Sequence, residues 1–445
     1  MKFKKTMLLL TALITAFSAS ACSSNNANNS APSASSSAAA STQAAETGEE
    51  ELAPEPNAKL IIWEGKDEKP FIDAIAQEFT AKYNIPVEFQ EVPSTEQRKK
   101  LKTDGPAGLG ADILVMPHNT LGDAVASGIL LPNDFYAEET KANYPKSLVD
   151  AVSLDGMIYG YPRNVETYLL YYNKDLVKKE DLASWDSIVK FAKSYNDVAN
   201  NKFGLMWQVN DFYYNYSWIA GSGGYVFGAN GTDPSDIGLN NDGAVEGMKF
   251  YQSLRDALPI KAVDATADVK TSLFQTGKLP INMDGVSQLG NFTKEKLGFE
   301  VGAVPLPPMP NGKSPISFSG VKAYYVSSFS KYPNAAKLFI HFATTQEAAM
   351  KNFELTGLIP ARNGMDSDPK IASNEVVKAF TDQIKNSQPM PNILPATQIW
   401  GPSTASLELI WNGGDVKEIL DKSVEDIKAG IEQQGKNNRS ISSIP

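Results

Sequence analysis

Cysteine and histidine are the scarcest reactive residues of this chain, whose 445 residues include one Cys and two His. A lone Cys excludes a disulfide within the chain, and so few Cys and His cannot ligate a zinc ribbon or an iron–sulfur cluster. Any catalysis would have to use carboxylates, hydroxyls or lysines. We therefore expect no metal and no cofactor.

Basic residues are outnumbered by acidic ones. The chain has 41 Lys and Arg against 51 Asp and Glu, which gives a formal net charge of −10 and a pI near 5.0. Such a chain repels polyanions, so nucleic acid is not an expected partner. A hydrophobic content of 42% over this length suffices for a large core and predicts two domains rather than disorder.

The single Cys lies at the end of an export signal. Three lysines precede an apolar stretch at residues 7–17 that is too short to cross a bilayer. Small residues then lead into Cys22, which resembles a bacterial lipobox. We predict that residues 1–21 are a signal peptide and that Cys22 is the lipid-modified residue, with palmitate among its acyl groups. An ordinary secretory signal is the alternative.

The segment after the lipid site is poor in apolar side chains. Residues 22–57 are mainly Ser, Ala, Asn, Thr, Gln, Glu and Pro, so burial cannot offset the entropy lost on ordering. We predict a flexible tether that holds the folded part at the extracytoplasmic face of the cell membrane.

The remaining chain alternates strand and helix patterns. The apolar run at residues 60–63 predicts a buried strand, and apolar residues at helical spacing predict a helix over 71–83. Strands are predicted at 87–92 and 111–116, so the chain begins with a βαβ unit. The same patterns later predict further elements, which are a strand at 321–327 and helices at 334–343, 345–356 and 415–434. The fold class is α/β with a mixed or parallel sheet.

Aromatic residues are concentrated between residues 159 and 227. Tyr and Trp offer a flat apolar face and a hydrogen-bonding edge, which suits sugars, whose rings are apolar on their faces and polar at their rims. These rings are candidates for a carbohydrate site. The alternative is that most of them pack in the core.

Catalytic and nucleotide-binding motifs fail on spacing. Gly312-Lys313-Ser314 ends like a phosphate loop, but Pro307 stands where the leading glycine belongs. Residues 187–190 fit S-x-x-K without its companion motifs, and residues 285–290 miss a nucleophile elbow by one position. A pair of facing carboxylates, as in a secreted glycoside hydrolase, remains open.

The folded part resembles the maltose/maltodextrin-binding proteins that feed ABC importers. The stretches that carry the resemblance are Leu60-Ile61-Ile62-Trp63, Ala111-Asp112-Ile113-Leu114-Val115-Met116-Pro117-His118, Tyr161-Pro162, Val165-Glu166, Tyr172-Asn173-Lys174-Asp175-Leu176, Gly223-Gly224-Tyr225, and Met390-Pro391-Asn392-Ile393 with Trp400 beyond. The resemblance implies a two-lobed solute-binding-protein fold with a hinge and a ligand cleft between the lobes. It also implies a monomer without enzymatic activity that delivers an oligosaccharide to membrane permease subunits.

The resemblance further implies lobe boundaries. The first lobe would comprise residues 58–164 and 317–367, and the second residues 166–315 and 368–437. The chain would cross near Val165, Ile316 and Asp368, and the lobes would close on the ligand by bending at this hinge.

The resemblance also implies ligand contacts at individual positions of this chain. They are Asp67, Glu96, His118, Asn119, Glu166, Asp211, Tyr213 and Trp400. Trp400 and Tyr213 match stacking rings, and the four acidic residues match carboxylates that bind sugar hydroxyls; charge-assisted hydrogen bonds of this kind are strong. His118 and Asn119 lie in the loop after the third predicted strand.

Departures from the family pattern bear on the choice of sugar. Ser287 replaces a stacking Trp, Thr404 replaces an Arg, and Asn119-Thr120 replaces an acidic-basic pair. Arg163 and Asn164, just before the predicted hinge, add polar groups without an assigned role. The preferred cargo is expected to be maltose or a maltodextrin, with a different sugar or glycoside as the alternative.

Overall fold

Strands and helices alternate through residues 52–442, the part of the chain that the computed structural model describes, with side chains to residue 437. The predicted signal peptide, Cys22 and most of the tether lie outside these residues. The strands are β1 Leu60–Glu64, β2 Val87–Glu91, β3 Ile113–Pro117, β4 Leu130–Leu131, β5 Ser153–Leu154, β6 Met157–Ile158, β7 Tyr161–Glu166, β8 Tyr168–Asn173, β9 Leu205–Met206, β10 Asp233–Ile237, β11 Ile281–Gly285, β12 Val301–Val304, β13 Ser317–Ser327 and β14 Ser387–Pro389.

Helices cover the two main sheets. They are α1 Lys69–Tyr83, α2 Gln97–Asp104, α3 Leu121–Ala126, α4 Ala137–Asn143, α5 Lys146–Ala151, α6 Trp185–Tyr195, α7 Phe212–Ser222, α8 Gly228–Gly231, α9 Asp242–Ser253, α10 Ala267–Gln275, α11 Lys294–Leu297, α12 Pro333–Ala343, α13 Gln346–Thr356, α14 Pro369–Ala372, α15 Glu375–Ile384, α16 Trp400–Trp411 and α17 Val416–Ser442. Among the described residues, none of these helices combines the length and apolarity that a bilayer crossing requires.

The larger sheet has seven strands and is organised around β13. Its order is β14-β13-β3-β1-β2, and β4 and β7 also pair with β13. Strand β1 runs parallel to β2, with Leu60 opposite Val87, so the predicted βαβ unit is confirmed. Strand β13 runs antiparallel to β3, which makes the sheet mixed.

Both faces of the larger sheet are buried. Ile113 and Val115 of β3 pack in one hydrophobic cluster, which includes residues of α1 and α12. Leu114 and Met116, which point the opposite way, belong to the other cluster. A strand buried on both faces is continuously apolar, which is why β3 was recognisable from its sequence.

The smaller sheet contains β12, β8, β11 and β9 in that order. Only Thr167 separates β7 of the larger sheet from β8 of the smaller one. Its hydroxyl lies 2.8 Å from the Ser317 hydroxyl and donates to the Phe318 carbonyl at 2.9 Å. The connection between the sheets is thus fastened to the first residues of β13.

Most rings of the aromatic cluster form the core beside the smaller sheet. Trp207, Tyr216 and Trp218 are fully buried. The Asn215 side-chain oxygen accepts hydrogen bonds from both indoles, at 2.8 Å from Trp207 and 3.0 Å from Trp218. The interpretation as a sugar site is therefore wrong for these rings, because they are buried and one buried amide satisfies both indole N–H groups within the core.

The predicted helices agree with the structure to within a few residues, but two elements are longer than expected. Strand β13 begins at Ser317 rather than at residue 321, and α17 runs to Ser442 rather than to 434. The start of β13, Ser317 to Gly320, carries small and polar residues among which only Phe318 is apolar, so the strand signal is weak there.

A buried ion pair joins α10 to β11. Lys270 and Asp284 contact each other with side chains 1% and 4% exposed. Burial lowers the pKa of Lys270, and the neighbouring carboxylate of Asp284 opposes that shift. Asp284 also accepts from the Tyr214 hydroxyl at 3.2 Å.

Removing one partner of this pair should cost much of the stability. We expect Lys270→Met to lower the free energy of unfolding by about 3–5 kcal/mol, because it leaves a buried carboxylate without its counter-charge. Urea unfolding measures the change. Lys417→Met, which breaks an exposed pair with Asp421 on α17, is the matched control and should change stability little. Equal effects of the two substitutions would refute the argument.

Candidate functional site

A cavity of about 110 Å³ lies where the two sheets meet. Its lining residues come from the ends of β3, β7 and β11, from the start of α7, and from β13. They are Pro117, Glu166, Thr167, Tyr213, Tyr214, Gly285, Val286, Ser287, Gly320, Val321, Lys322 and Met390. Two of the predicted ligand contacts, Glu166 and Tyr213, therefore lie together.

A larger depression of about 650 Å³ is bounded by residues 225–232 and 387–392, and it shares one lining residue, Met390, with this cavity. It contains none of the predicted ligand contacts. We assign the site to the smaller cavity because a carboxylate of β7, an ammonium of β13 and two phenols of α7 converge there, and such polar groups orient a ligand.

Glu166 occupies the last position of β7, where the chain leaves the larger sheet. Its carboxylate accepts a hydrogen bond from the Asn164 side chain at 3.3 Å and lies 3.3 Å from the Lys322 ammonium. The side chain is 26% exposed, so it has contact both with these partners and with the cavity.

Tyr213 and Tyr214 enter the cavity from the first turn of α7. Asp211 caps this helix by accepting from the Tyr213 amide at 2.9 Å, and burial raises the pKa of Asp211. Asp211 thus positions the two rings and does not itself line the cavity. The Tyr213 ring packs edge-on against Tyr168, with ring centroids 5.2 Å apart.

Trp400 is half-buried at the start of α16, outside the cavity lining. Its ring lies 5.9 Å from Phe212 and 6.2 Å from Phe318, and Phe318 in turn stacks 6.3 Å from Tyr213. These rings form a row that leads from Trp400 to the cavity.

Three predicted contacts lie away from the cavity in this structure. Asp67 and Glu96 are exposed, in the turn after β1 and just before α2. Asn119 is half-buried, and its side-chain oxygen has no hydrogen-bond partner among the described residues.

His118 is fully buried behind the cavity wall. The Val321 amide donates to Nδ1 at 3.0 Å, so the proton belongs on Nε2, which donates to the Met390 carbonyl at 2.9 Å. Both ring nitrogens are occupied by backbone, so His118 supports two wall segments and leaves no polar atom for a ligand.

A β-bulge beside the cavity explains the polar residues that precede Glu166. Lys322 of β13 pairs with Asn164, but the next residue, Ala323, pairs with Pro162. Arg163 is therefore an extra residue on β7. Bulges of this kind turn side chains from the alternation of the strand and are frequent at binding sites.

The extra arginine organises a network of charges. The Arg163 guanidinium forms an ion pair with Glu64 in which both side chains are buried, and it lies 3.7 Å from Glu68. Burial opposes the charge of Arg163, but Glu64, Tyr324 and Glu68 together outweigh burial and keep the pKa of Arg163 above its ordinary value. Glu68 and Glu166 both lie 3.3 Å from Lys322. Lys322 and Met390 line the cavity but are not among the predicted contacts, because pairing between segments distant in sequence brings them there.

No group of three or more His, Cys, Asp or Glu in the described part of the chain is arranged to hold a metal ion. The polar groups of the cavity are instead a carboxylate, an ammonium and phenols, which together can accept from and donate to hydroxyl groups.

Comparison with known proteins places this geometry in a family. The sequence profile of bacterial extracellular solute-binding proteins matches residues 74–379. The chain belongs to this family. It is 33% identical, over 84% of its length and 90% of the relative's, to the galactooligosaccharide-binding protein of Bacillus subtilis strain 168. It is 29% identical, over 84% and 89%, to a maltooligosaccharide ABC transporter solute-binding lipoprotein of Streptococcus pneumoniae.

Solved structures of the family share the fold. A cyclo/maltodextrin-binding protein complexed with maltotetraose matches with a TM-score of 0.75 and 34% identity, covering 84% of this chain and 97% of that one. The predicted two-lobed α/β fold, with a hinge and a cleft between the lobes, is thereby confirmed.

The burial of His118 predicts that the fold around the cavity wall loses stability in acid. Burial lowers the pKa of His118 to about 4, against 6.5 for the free side chain. The neutral ring therefore stabilises the fold above pH 6.5, and this contribution, on the order of 3 kcal/mol, is lost as the pH falls through 4. Urea unfolding between pH 7 and pH 4 should show a shallower loss for His118→Gln than for the unsubstituted protein. Parallel pH profiles would show that His118 does not titrate as inferred.

Proposed function

We propose that the protein captures a neutral oligosaccharide outside the membrane and delivers it to the permease of an ABC importer. The observation that supports this most strongly is the cavity between the two sheets, where Glu166 and Lys322 offer an acceptor and a donor beside the ring of Tyr213. This combination suits a sugar, whose hydroxyls donate and accept at the rim of an apolar ring face.

The cavity must open before cargo enters. Small-molecule pockets usually enclose roughly 300–1,000 Å³, whereas this cavity measures about 110 Å³. We infer that the lobes separate by bending near Thr167 and close again on the cargo. We propose residues 58–164 with 317–367 as the first lobe and residues 166–315 with 368–437 as the second. Strand β14 of the second range pairs with β13, so the boundary lies close to that pairing.

A maltooligosaccharide is the proposed cargo. It is the ligand named for the pneumococcal relative, and maltotetraose is bound in the similar solved structure. A galactooligosaccharide is the second candidate, because the Bacillus subtilis relative at 33% identity is named for it. Ser287 lies in the cavity wall, at a position where the family resemblance implies a stacking Trp, and this departure keeps the second candidate.

We also propose that the protein acts as a monomer, without catalysis, from a lipid anchor at Cys22. The name of the pneumococcal lipoprotein supports the anchor, and the cavity contains one carboxylate, Glu166, rather than the facing pair that glycoside hydrolysis uses. Incubation with pure oligosaccharides should release no shorter products.

Titration calorimetry of the purified protein with maltooligosaccharides and galactooligosaccharides tests the capture of cargo. We expect saturable binding of one class, and Tyr213→Ala and Trp400→Ala should each weaken it by about tenfold or more, because a stacking ring and its buried area are lost. Phe135→Ala, which removes an exposed ring outside the cavity, is the control and should leave affinity unchanged. Unchanged affinity in both Tyr213→Ala and Trp400→Ala would reject the site.

Substitution of the predicted lipid site tests the anchor. Cys22→Ser should move the protein from the membrane fraction of expressing cells to the medium or the soluble fraction, because it removes the thiol that the lipid modifies. Immunoblotting of the fractions measures this, with Ser23→Ala as the matched control. Membrane retention of the Cys22→Ser protein would contradict lipid anchoring.

A further inference from the structure

Lys322 lines the cavity together with Glu166 and Tyr213. It lies on β13, opposite the bulge that Arg163 creates in β7. Its ammonium is 3.3 Å from an oxygen of Glu68 on one side and 3.3 Å from an oxygen of Glu166 on the other. The side chain is 20% exposed and lines the cavity.

The ammonium has donors to spare. It carries three N–H groups, and the contact with Glu68 is its one hydrogen bond to the described residues, at a long 3.3 Å. Charge-assisted hydrogen bonds of this kind normally measure about 2.7–2.9 Å. An oxygen that enters the cavity can therefore bond to Lys322 without displacing a strong protein contact.

The charge of Lys322 is fixed by its neighbours. Burial opposes its charge, but Glu166 and Glu68 outweigh burial and raise its pKa. Glu68 is itself held 3.7 Å from Arg163, which forms an ion pair with Glu64. Two buried or half-buried cations thus face three carboxylates. The contacts with Glu68 and Glu166 hold the Lys322 ammonium in place.

We propose that Lys322 is a cargo-binding residue that determines which sugar the protein selects. This rests on the proposed capture of an oligosaccharide. The ammonium donates to an oxygen of the sugar ring that packs against Tyr213, while Glu166 accepts from a neighbouring hydroxyl of the same ring. Lys322 and Glu166 together then recognise the relative positions of two oxygens of that sugar ring.

Such a pair discriminates between epimers. A site that hydrogen-bonds a substrate oxygen rejects an analogue that lacks the oxygen at that place, because the buried polar groups of the site are left without partners. The rings of glucose and galactose differ in the direction of one oxygen, at C4. The donor and acceptor held 3.3 Å apart suit a fixed spacing of oxygens, so they favour one configuration.

Calorimetric titration of Lys322→Met tests this inference. The substitution keeps most of the side-chain length and removes the donor and the charge. We expect the affinity for the preferred oligosaccharide to fall at least tenfold and the affinity for the other configuration to fall less, so that their ratio approaches one. Lys322→Arg should restore part of the preference, because it restores a charged donor. Lys417→Met, on the surface of α17, is the control and should leave both affinities unchanged.

Each other outcome has a definite meaning. If the unsubstituted protein binds an oligosaccharide and Lys322→Met binds it equally well, Lys322 does not contact cargo. An equal loss for both configurations together with a lowered melting temperature assigns Lys322 to the support of Glu166 and overturns the inference. If the unsubstituted protein binds neither class, the proposed function itself fails, and the titration of that protein alone reveals this.

Discussion

The buried ion pair between Arg163 and Glu64 is the interaction on which the site depends. Two charges removed from water are tolerated only when each is the partner of the other, so this contact fixes the end of β1 against β7. The bulge that places Arg163 there also sets Glu166 at the point where the chain leaves the larger sheet. The Arg163–Glu64 ion pair, the register of β7 and the point where the chain leaves the larger sheet therefore depend on one another.

The same arrangement explains why the cavity is polar although its surroundings are apolar. The core beside the smaller sheet consists of buried rings such as Trp207 and Trp218, whose polar edges are satisfied internally by Asn215. Tyr213 and Tyr214, at the first turn of α7, extend from that core into the cavity. The packed aromatic core thus holds two phenols next to the charges of Glu166 and Lys322. This surface suits a hydroxyl-rich ligand.

The local spacing of apolar residues was sufficient to predict most of the fold. Strand β3 and helix α1 were predictable because their apolar residues repeat with the period of a doubly buried strand and of an amphipathic helix. The family resemblance located Glu166 and Tyr213, which the structure brings together in one cavity. Lys322 and the bulge at Arg163 were not predictable, because they depend on which residues of β7 and β13 face each other, and register between distant segments leaves no local signal. His118 resembled a loop ligand for the same reason, since its backbone partners come from residues far along the chain.

We propose that the two lobes close on an oligosaccharide held between Tyr213, Glu166 and Lys322. Small-angle X-ray scattering of the purified protein, with and without saturating maltooligosaccharide or galactooligosaccharide, tests it most directly. If the lobes close on cargo, one class of sugar decreases the radius of gyration in a saturable way, while an unrelated disaccharide leaves it unchanged. A radius of gyration that none of the oligosaccharides changes, although binding is measured in the same samples, would contradict closure on the cargo.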